Sequence, residues 1–265
     1  MDLQAIMIAV IMIGVLGLVL GLFLGCSAKI FHVESDSREE AILEVLPGNN
    51  CGGCGYPGCS GLAAAVVKGE APVNACPVGG EAVAAKVAAV MGVDAGRSER
   101  MVAFVKCLGD CEKAAKDYDY HGEADCRMAA LLPGGGDKSC NYGCLGYGSC
   151  VKECPFDAIH IRNGIAVVDR EACKACGRCV AVCPKKLIEL IPCHAAYAVA
   201  CASKDKGPEV MKKCKAGCIG CGLCKKNCPA DAVEIMDFLA RIDPEKCEKC
   251  GACAEKCPKK VIAKP

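Results

Sequence analysis

The hydropathy of the chain divides sharply after its first two dozen residues. Leu3 to Leu24 is a 22-residue stretch without a charged side chain. At about 1.5 Å of rise per residue, such a helix spans the roughly 30 Å hydrocarbon core of a bilayer. A cleaved signal peptide needs a positive leading region and a shorter apolar one, and only Asp2 precedes this run. Leu24-Gly25-Cys26 looks like a lipoprotein cleavage site. The missing N-terminal base and the cysteine-rich remainder both count against that reading. The pattern predicts a retained transmembrane helix over 1–26, in contact with lipid. Lys29 and Arg38 follow it and no base precedes it, so the positive-inside rule puts the bulk of the chain on the cytoplasmic side of the cell (inner) membrane. Gly17, Gly21 and Gly25 form a stripe that another helix could approach, or reflect the ordinary glycine content of membrane helices. The run has no ionisable group with which to conduct an ion.

Beyond the helix the periodic stretches are short. Residues 27–47 read as a polar spacer and a brief helix. Ser37-x-x-Glu40 resembles a capping box and Leu46-Pro47-Gly48 a stop. Leu62 to Val67 and the Ala-rich Gly79 to Met91 predict two further helices. Ala158 to Val168 alternates around Asn163-Gly164, a strong hairpin signal. Ala232 to Ile242 predicts a strand region. With 4% aromatic residues and no Trp, a conventional apolar core must be thin. The net charge of +1 hides an asymmetry: residues 27–139 hold 11 Lys and Arg against 16 Asp and Glu, while residues 201–265 hold 14 against 9. Most such charges are solvated faces. The functional alternative is a basic end that docks an acidic redox protein, with Lys256, Lys259 and Lys260 as contacts.

Cysteine supplies what the apolar pattern lacks. The chain has 27, an odd number, set in C-x-x-C combs rather than in a small secreted framework. That favours metal over disulfides. Zinc sites pair two short motifs a dozen or more residues apart. Here runs of four cysteines end in Cys-Pro, the spacing that holds [4Fe–4S] clusters in bacterial ferredoxins. Cys51, Cys54, Cys59 and Cys76, set among glycines, predict a first cluster. In paired ferredoxin runs the fourth cysteine serves the other cluster. That rule assigns Cys140, Cys144, Cys150 and Cys183 to a second cluster. Cys154, Cys173, Cys176 and Cys179 make a third. Cys218, Cys221, Cys224 and Cys257 make a fourth, and Cys228, Cys247, Cys250 and Cys253 a fifth. The run from Cys140 is irregular, C-x3-C-x5-C-x3-C, with Gly143, Gly146 and Gly148 to absorb the extra length. Two readings stay open for the rest. Either Cys107, Cys111 and Cys126 hold a sixth cluster with one of Cys193, Cys201 and Cys214, or these are buried, unligated thiols. Cys26, His32, His121, His160 and His194 read as non-ligands.

The fold class is therefore α+β, built of small iron–sulfur modules behind one membrane helix. Residues 48–95 form a single-cluster module and 96–139 a connector. Residues 140–192 form a first two-cluster ferredoxin-like domain, 193–213 a second connector, and 214–265 a second such domain. No dinucleotide fingerprint, P-loop or nucleophile constellation is present in the sequence, and nothing points to nucleic acid.

The order of these parts resembles a known family. A lone N-terminal membrane helix, the N-N-C-G-G-C-G-Y-P-G-C stretch from Asn49 to Cys59, the C-L-G-Y-G-S-C-V-K-E-C-P-F-D-A-I stretch from Cys144 to Ile159 and tandem ferredoxin repeats together resemble the B subunit of the Rnf complex. The resemblance implies an iron–sulfur protein that takes electrons from soluble ferredoxin towards NAD+. Na+ or H+ transport would then fall to partner subunits. The competing readings are an iron–sulfur component of another anaerobic enzyme, such as a hydrogenase or corrinoid reductase, and a redox-silent zinc protein.

Overall fold

The structure, a computed structural model, describes residues 3–30, 36–96 and 99–264. Asp2, His32 and part of the polar spacer lie outside the described residues. Helix α1 (Leu3–Ile30) extends past the apolar run, and its Val10–Ser27 window is wholly unburied, long and apolar enough to cross a membrane.

Helices α2 (Ser37–Val45), α3 (Cys59–Val67) and α4 (Gly80–Met91) pack around Ile42, Leu62, Val66 and Val87. Alanines 63 and 65 in the same cluster let the helices close without bulky side chains. The expected capping box does not form, because Ser37 is the first helical residue and Asp36 is the cap. Its carboxylate accepts the Arg38 backbone N–H at 2.9 Å and pairs with the same residue's guanidinium at 2.6 Å. Two partners in one residue outcompete a serine hydroxyl. Helix α3 starts three residues earlier than its apolar run, since the Asn50 side chain accepts the Cys59 N–H at 2.9 Å.

The remainder is a set of two-stranded antiparallel ladders joined by short helices. In order these are β1 (Met101–Val105), α5 (Cys126–Ala129), α6 (Ser149–Lys152), β2 (Ile159–Arg162), β3 (Ile165–Val168), α7 (Arg178–Val182) and β4 (Ile188–Pro192). They continue as β5 (Ala198–Val199), α8 (Gly207–Lys213), α9 (Leu223–Lys226), β6 (Val233–Met236), β7 (Leu239–Ile242), α10 (Ala252–Glu255) and β8 (Ile262–Ala263). Asn163 and Gly164 turn β2 into β3 with φ of 49° and 75°. Asp237 and Phe238 do the same for β6 and β7 at 50° and 60°, so the expected strand region is a hairpin. Two consecutive left-handed residues match the twist of the flanking strands.

The two expected connectors are woven into the ladders. The 96–139 segment contributes β1, which pairs with β4 from Met101↔Pro192 to Val105↔Ile188. The 193–213 segment contributes β5, which pairs with the C-terminal β8. A physical reason is visible in β1, whose Val102, Ala103, Phe104 and Val105 are all buried. Such a strand covers the edge of β4 that would otherwise stay open. Two apolar clusters result, one around Val102, Ile159 and Leu187 and the other around Val233 and Val261, both laced with cysteine.

Candidate metal centres

Four loops of the cysteine-rich part share one backbone register. Counting from Cys144, Cys173, Cys218 and Cys247, the second following residue is left-handed in each: Gly146, Ala175, Gly220 and Lys249 have φ of 80°, 53°, 64° and 62°. The fourth is a left-handed glycine: Gly148, Gly177, Gly222 and Gly251. After each Cys-Pro the next residue but one is left-handed again: Asp157, Lys186, Asp231 and Lys260, at 47° to 50°. Non-glycine residues in that conformation cost roughly 1–2 kcal/mol each, so the loop shape is held against local preference. The result is a turn whose amide faces the thiol it follows. Ala158 donates to Cys154 Sγ at 3.4 Å, Leu187 to Cys183 Sγ at 3.5 Å and Ala232 to Cys228 Sγ at 3.4 Å. Backbone N–H groups aimed at sulfur are what an iron–sulfur site uses to hold and tune its ligands.

This register explains the irregular run. Its first position is Cys144, not Cys140, and its second, filled by Cys176, Cys221 and Cys250 elsewhere, is Tyr147. Cys126 takes the missing thiol's place. Asp125 caps α5 and accepts the Arg127 N–H at 2.7 Å, and the Cys126 N–H donates to Ser149 Oγ at 2.7 Å, which fixes Cys126 beside Cys150. Cys126, Cys144, Cys150 and Cys183 line one cavity with about 360 Å³ of empty space. The structure does not bring Cys140 into one cavity with Cys144, Cys150 and Cys183. Cys140 lies on the far side of the Gly143 turn, in a cavity of about 450 Å³ that it lines with Cys107, Cys201 and Cys214. The expected trio of Cys107, Cys111 and Cys126 is likewise divided. Cys111 is exposed and bonds through its N–H to the Asn163 carbonyl. Cys193 sits under Arg170, which donates to its carbonyl. Cys26 is exposed on α1. His194 pairs with Glu99 at 2.6 Å and His160 faces Asp157 at 3.7 Å, while His121 is exposed.

Cys154, Cys173, Cys176 and Cys179 line a third cavity of about 360 Å³, and Cys218, Cys221, Cys224 and Cys257 a fourth of about 350 Å³. In the N-terminal module, Cys54, Cys59 and Cys76 pack into one cluster, and Cys51 and Cys54 lie near enough to Cys76 to act on its thiol. Cys228, Cys247 and Cys250 surround Cys253 in the same sense. The fit to iron–sulfur is chemical and geometric. Four soft donors face each of the four cavities, and three of those cavities agree in volume to within about 10 Å³. Among the described residues no three His, Cys, Asp or Glu converge on a single-ion site. Burial pushes the Cys150 thiol up to about 12 and those of Cys179, Cys201 and Cys224 up to about 11, with the neighbouring sulfurs adding to the rise. A positively charged guest in each cavity would relieve that.

Neighbouring sites touch through the backbone. The Cys144 N–H donates to Cys107 Sγ at 3.4 Å, and the Cys218 N–H to Cys201 Sγ at 3.4 Å. Gly53 of the N-terminal module lies against the Cys176 backbone, where a Cβ would meet the carbonyl oxygen at 2.8 Å. Lys256 and Lys260 are exposed at the C-terminal end, and Lys259 lines the Cys218 cavity.

Comparison with known proteins agrees with these centres. An Fe-S cluster family profile matches residues 46–78, the LdpA Fe-S cluster-binding domain residues 148–194 and the 4Fe-4S dicluster domain residues 217–261. The B subunit of the Na+-translocating ferredoxin:NAD+ oxidoreductase complex of Acetobacterium woodii is 47% identical over 98% of this chain and 78% of its own. The B subunit of the ion-translocating oxidoreductase complex of Methanosarcina acetivorans is 42% identical over 93% of this chain and 94% of its own. The B subunit of the proton-translocating ferredoxin:NAD+ oxidoreductase complex of Clostridium ljungdahlii is 45% identical over 91% of this chain and 85% of its own. Iron–sulfur sequence, cysteine-lined cavities and near full-length kinship meet in one conclusion: the chain belongs to the family of B subunits of Rnf-type ion-translocating ferredoxin:NAD+ oxidoreductase complexes, as a multi-cluster electron-transfer component.

Proposed function

We propose that this protein carries six [4Fe–4S] sites in single file and is held to the cytoplasmic face of a membrane by α1. The ligand sets, in spatial order, are Cys51, Cys54, Cys59 and Cys76; Cys154, Cys173, Cys176 and Cys179; Cys126, Cys144, Cys150 and Cys183; Cys107, Cys140, Cys201 and Cys214; Cys218, Cys221, Cys224 and Cys257; and Cys228, Cys247, Cys250 and Cys253. Each such cluster stores and passes one electron at a potential set by its surroundings. The chain's own residues fix the spacing, exclude water and direct N–H groups at the sulfurs. Residues 140–192 and 214–265 act as two ferredoxin-like units, with the fourth set stitching them together. The observation that carries this reading is that Cys107, Cys140, Cys201 and Cys214 face one cavity between the units, and that the Cys107 and Cys201 sulfurs accept N–H bonds from Cys144 on one side and Cys218 on the other.

Electrons enter from reduced soluble ferredoxin at the basic C-terminal end, around Lys256, Lys259 and Lys260, and leave through the other subunits of the complex. Partner subunits carry out NAD+ reduction and Na+ or H+ transport. The test is reduction of the anaerobically purified protein by reduced ferredoxin at several salt concentrations. Charge reversal at the three lysines should slow reduction and flatten its salt dependence. An unchanged rate in every salt places ferredoxin elsewhere.

A further inference from the structure

Lys138 is 3% exposed, yet among the described residues no carboxylate lies within ion-pair distance of it. Of the two buried acids nearby, Asp110 pairs with Lys113 at 2.5 Å and Asp137 pairs through Oδ2 with Lys116 at 2.9 Å, while Asp137 Oδ1 is buried without a hydrogen-bond partner. The Lys138 ammonium instead donates to the Gly109 carbonyl at 2.8 Å and to the Gly164 carbonyl at 3.1 Å. Those two carbonyls belong to different sites. Gly109 lies against the sulfurs of Cys214 and Cys107, where a Cβ would meet them at 3.2 and 3.7 Å. The Gly164 carbonyl lies against Gly146 of the Cys144 loop, so closely that a Cβ on Gly146 would strike its oxygen.

A buried cation without an anionic partner is expensive. It persists only where negative charge lies close by. From this position we infer that Lys138 is a positioning residue for electron transfer, a fixed positive charge shared by the Cys126/Cys144/Cys150/Cys183 site and the Cys107/Cys140/Cys201/Cys214 site. It stabilises the added electron at both, and so raises the potentials of both sites at the junction between the ferredoxin-like units. The low local dielectric makes one charge count at two sites at once. This inference rests on the six-site reading above.

The test is a redox titration followed by electron paramagnetic resonance on anaerobically purified full-length protein. Lys138→Gln keeps donors for both carbonyls and removes the charge, and Lys138→Arg keeps the charge. In Lys138→Gln the reduction equilibrium of two sites should fall at least tenfold, about 59 mV for a one-electron couple. The other four should stay in place, and Lys138→Arg should restore the pair. Loss of iron from those two sites in the Gln variant but not in Arg also supports the role of charge. Loss in both variants marks a packing residue and overturns it, as do six unmoved midpoints or six equal shifts on full iron. Wild-type protein with fewer than about 24 irons per chain would instead contradict the six-site reading itself, since each cluster brings four.

Discussion

Replacing Gly53 with alanine tests how the N-terminal module is joined to the rest. Gly53 does not have a left-handed φ, so its backbone accepts a side chain. The obstacle is contact: the new methyl would lie 2.8 Å from the Cys176 carbonyl oxygen, 2.9 Å from its Cα and 3.1 Å from its carbonyl carbon. Ordinary carbon contacts sit at about 3.5–4.0 Å. The two backbones must therefore part by roughly 0.7 Å, and neither can rotate out of the way as a flexible side chain could. Overpacking of this kind costs about 1–3 kcal/mol. Either the module stays docked and loses that much stability, or it swings off the Cys176 loop. The assay is spin–spin broadening between the two reduced sites in the electron paramagnetic resonance spectrum, alongside limited proteolysis of the N-terminal module. Gly53→Ala should narrow the broadened signal and speed cleavage. Gly55→Ala is the control: φ is 85° and nothing lies within 4 Å, so it strains the backbone by roughly 1–2 kcal/mol without touching Cys176. Unchanged broadening and unchanged proteolysis in Gly53→Ala would refute the junction.

Other consequences concern the ligands. Cys126→Ser should abolish the signal of the Cys144/Cys150/Cys183 site and spare the Cys107/Cys201/Cys214 one; Cys140→Ser should do the reverse, and a common loss in both would dissolve the grouping. The double variant Cys126→Ser, Tyr147→Cys should regain the lost site, because Tyr147 stands where the other runs carry their second cysteine. Its cost is the Tyr120–Tyr147 ring contact at 5.0 Å, worth about 0.5–1.5 kcal/mol. In the metal-free, unfolded chain the ligand thiols are solvated and mostly protonated at neutral pH. Ligation must release those protons, so cluster reconstitution should improve with pH through the neutral range, by about tenfold in affinity per unit for each proton released. A flat reconstitution profile between pH 7 and pH 8 would count against thiolate ligation. Removing iron should unfold the cysteine-rich part, seen as loss of far-ultraviolet circular dichroism; a native spectrum without iron would sink the idea that clusters replace an apolar core.

Much of this was legible in the residues, for identifiable reasons. The membrane-length helix and the Asn163-Gly164 hairpin rest on strong local signals, one of length and one of backbone handedness. Cys173 through Cys183 and Cys218 through Cys228 are regular in spacing; the first three of each run line one cavity, and the fourth turns to the neighbouring set. Counting cysteines rather than positions groups Cys140 with Cys144, whereas the structure sets the two in different cavities. Aligning the Cys-Pro steps places Cys144, Tyr147, Cys150 and Cys154 in register with Cys173, Cys176, Cys179 and Cys183, a signal present in the sequence that exposes one missing thiol. What spacing could not disclose was the replacement. Cys126 reaches Cys150 through a long-range bond to Ser149, and Cys201 and Cys214 reach Cys107 across two woven connectors. Those contacts depend on β1 pairing with β4 and β5 with β8, pairings between strands far apart in sequence. The burial of Lys138 is of the same kind, since an isolated Asp-Lys pair before Ser139 reads as solvated surface.

The most direct measurement is the iron and acid-labile sulfide content of the anaerobically purified chain, made together with a zinc determination. Six four-cysteine sites predict about 24 irons and as many sulfides per chain, with zinc absent. About 20 irons would leave the cavity of Cys107, Cys140, Cys201 and Cys214 without a cluster and break the file between the two ferredoxin-like units, and zinc in place of iron would contradict electron transfer through this protein altogether.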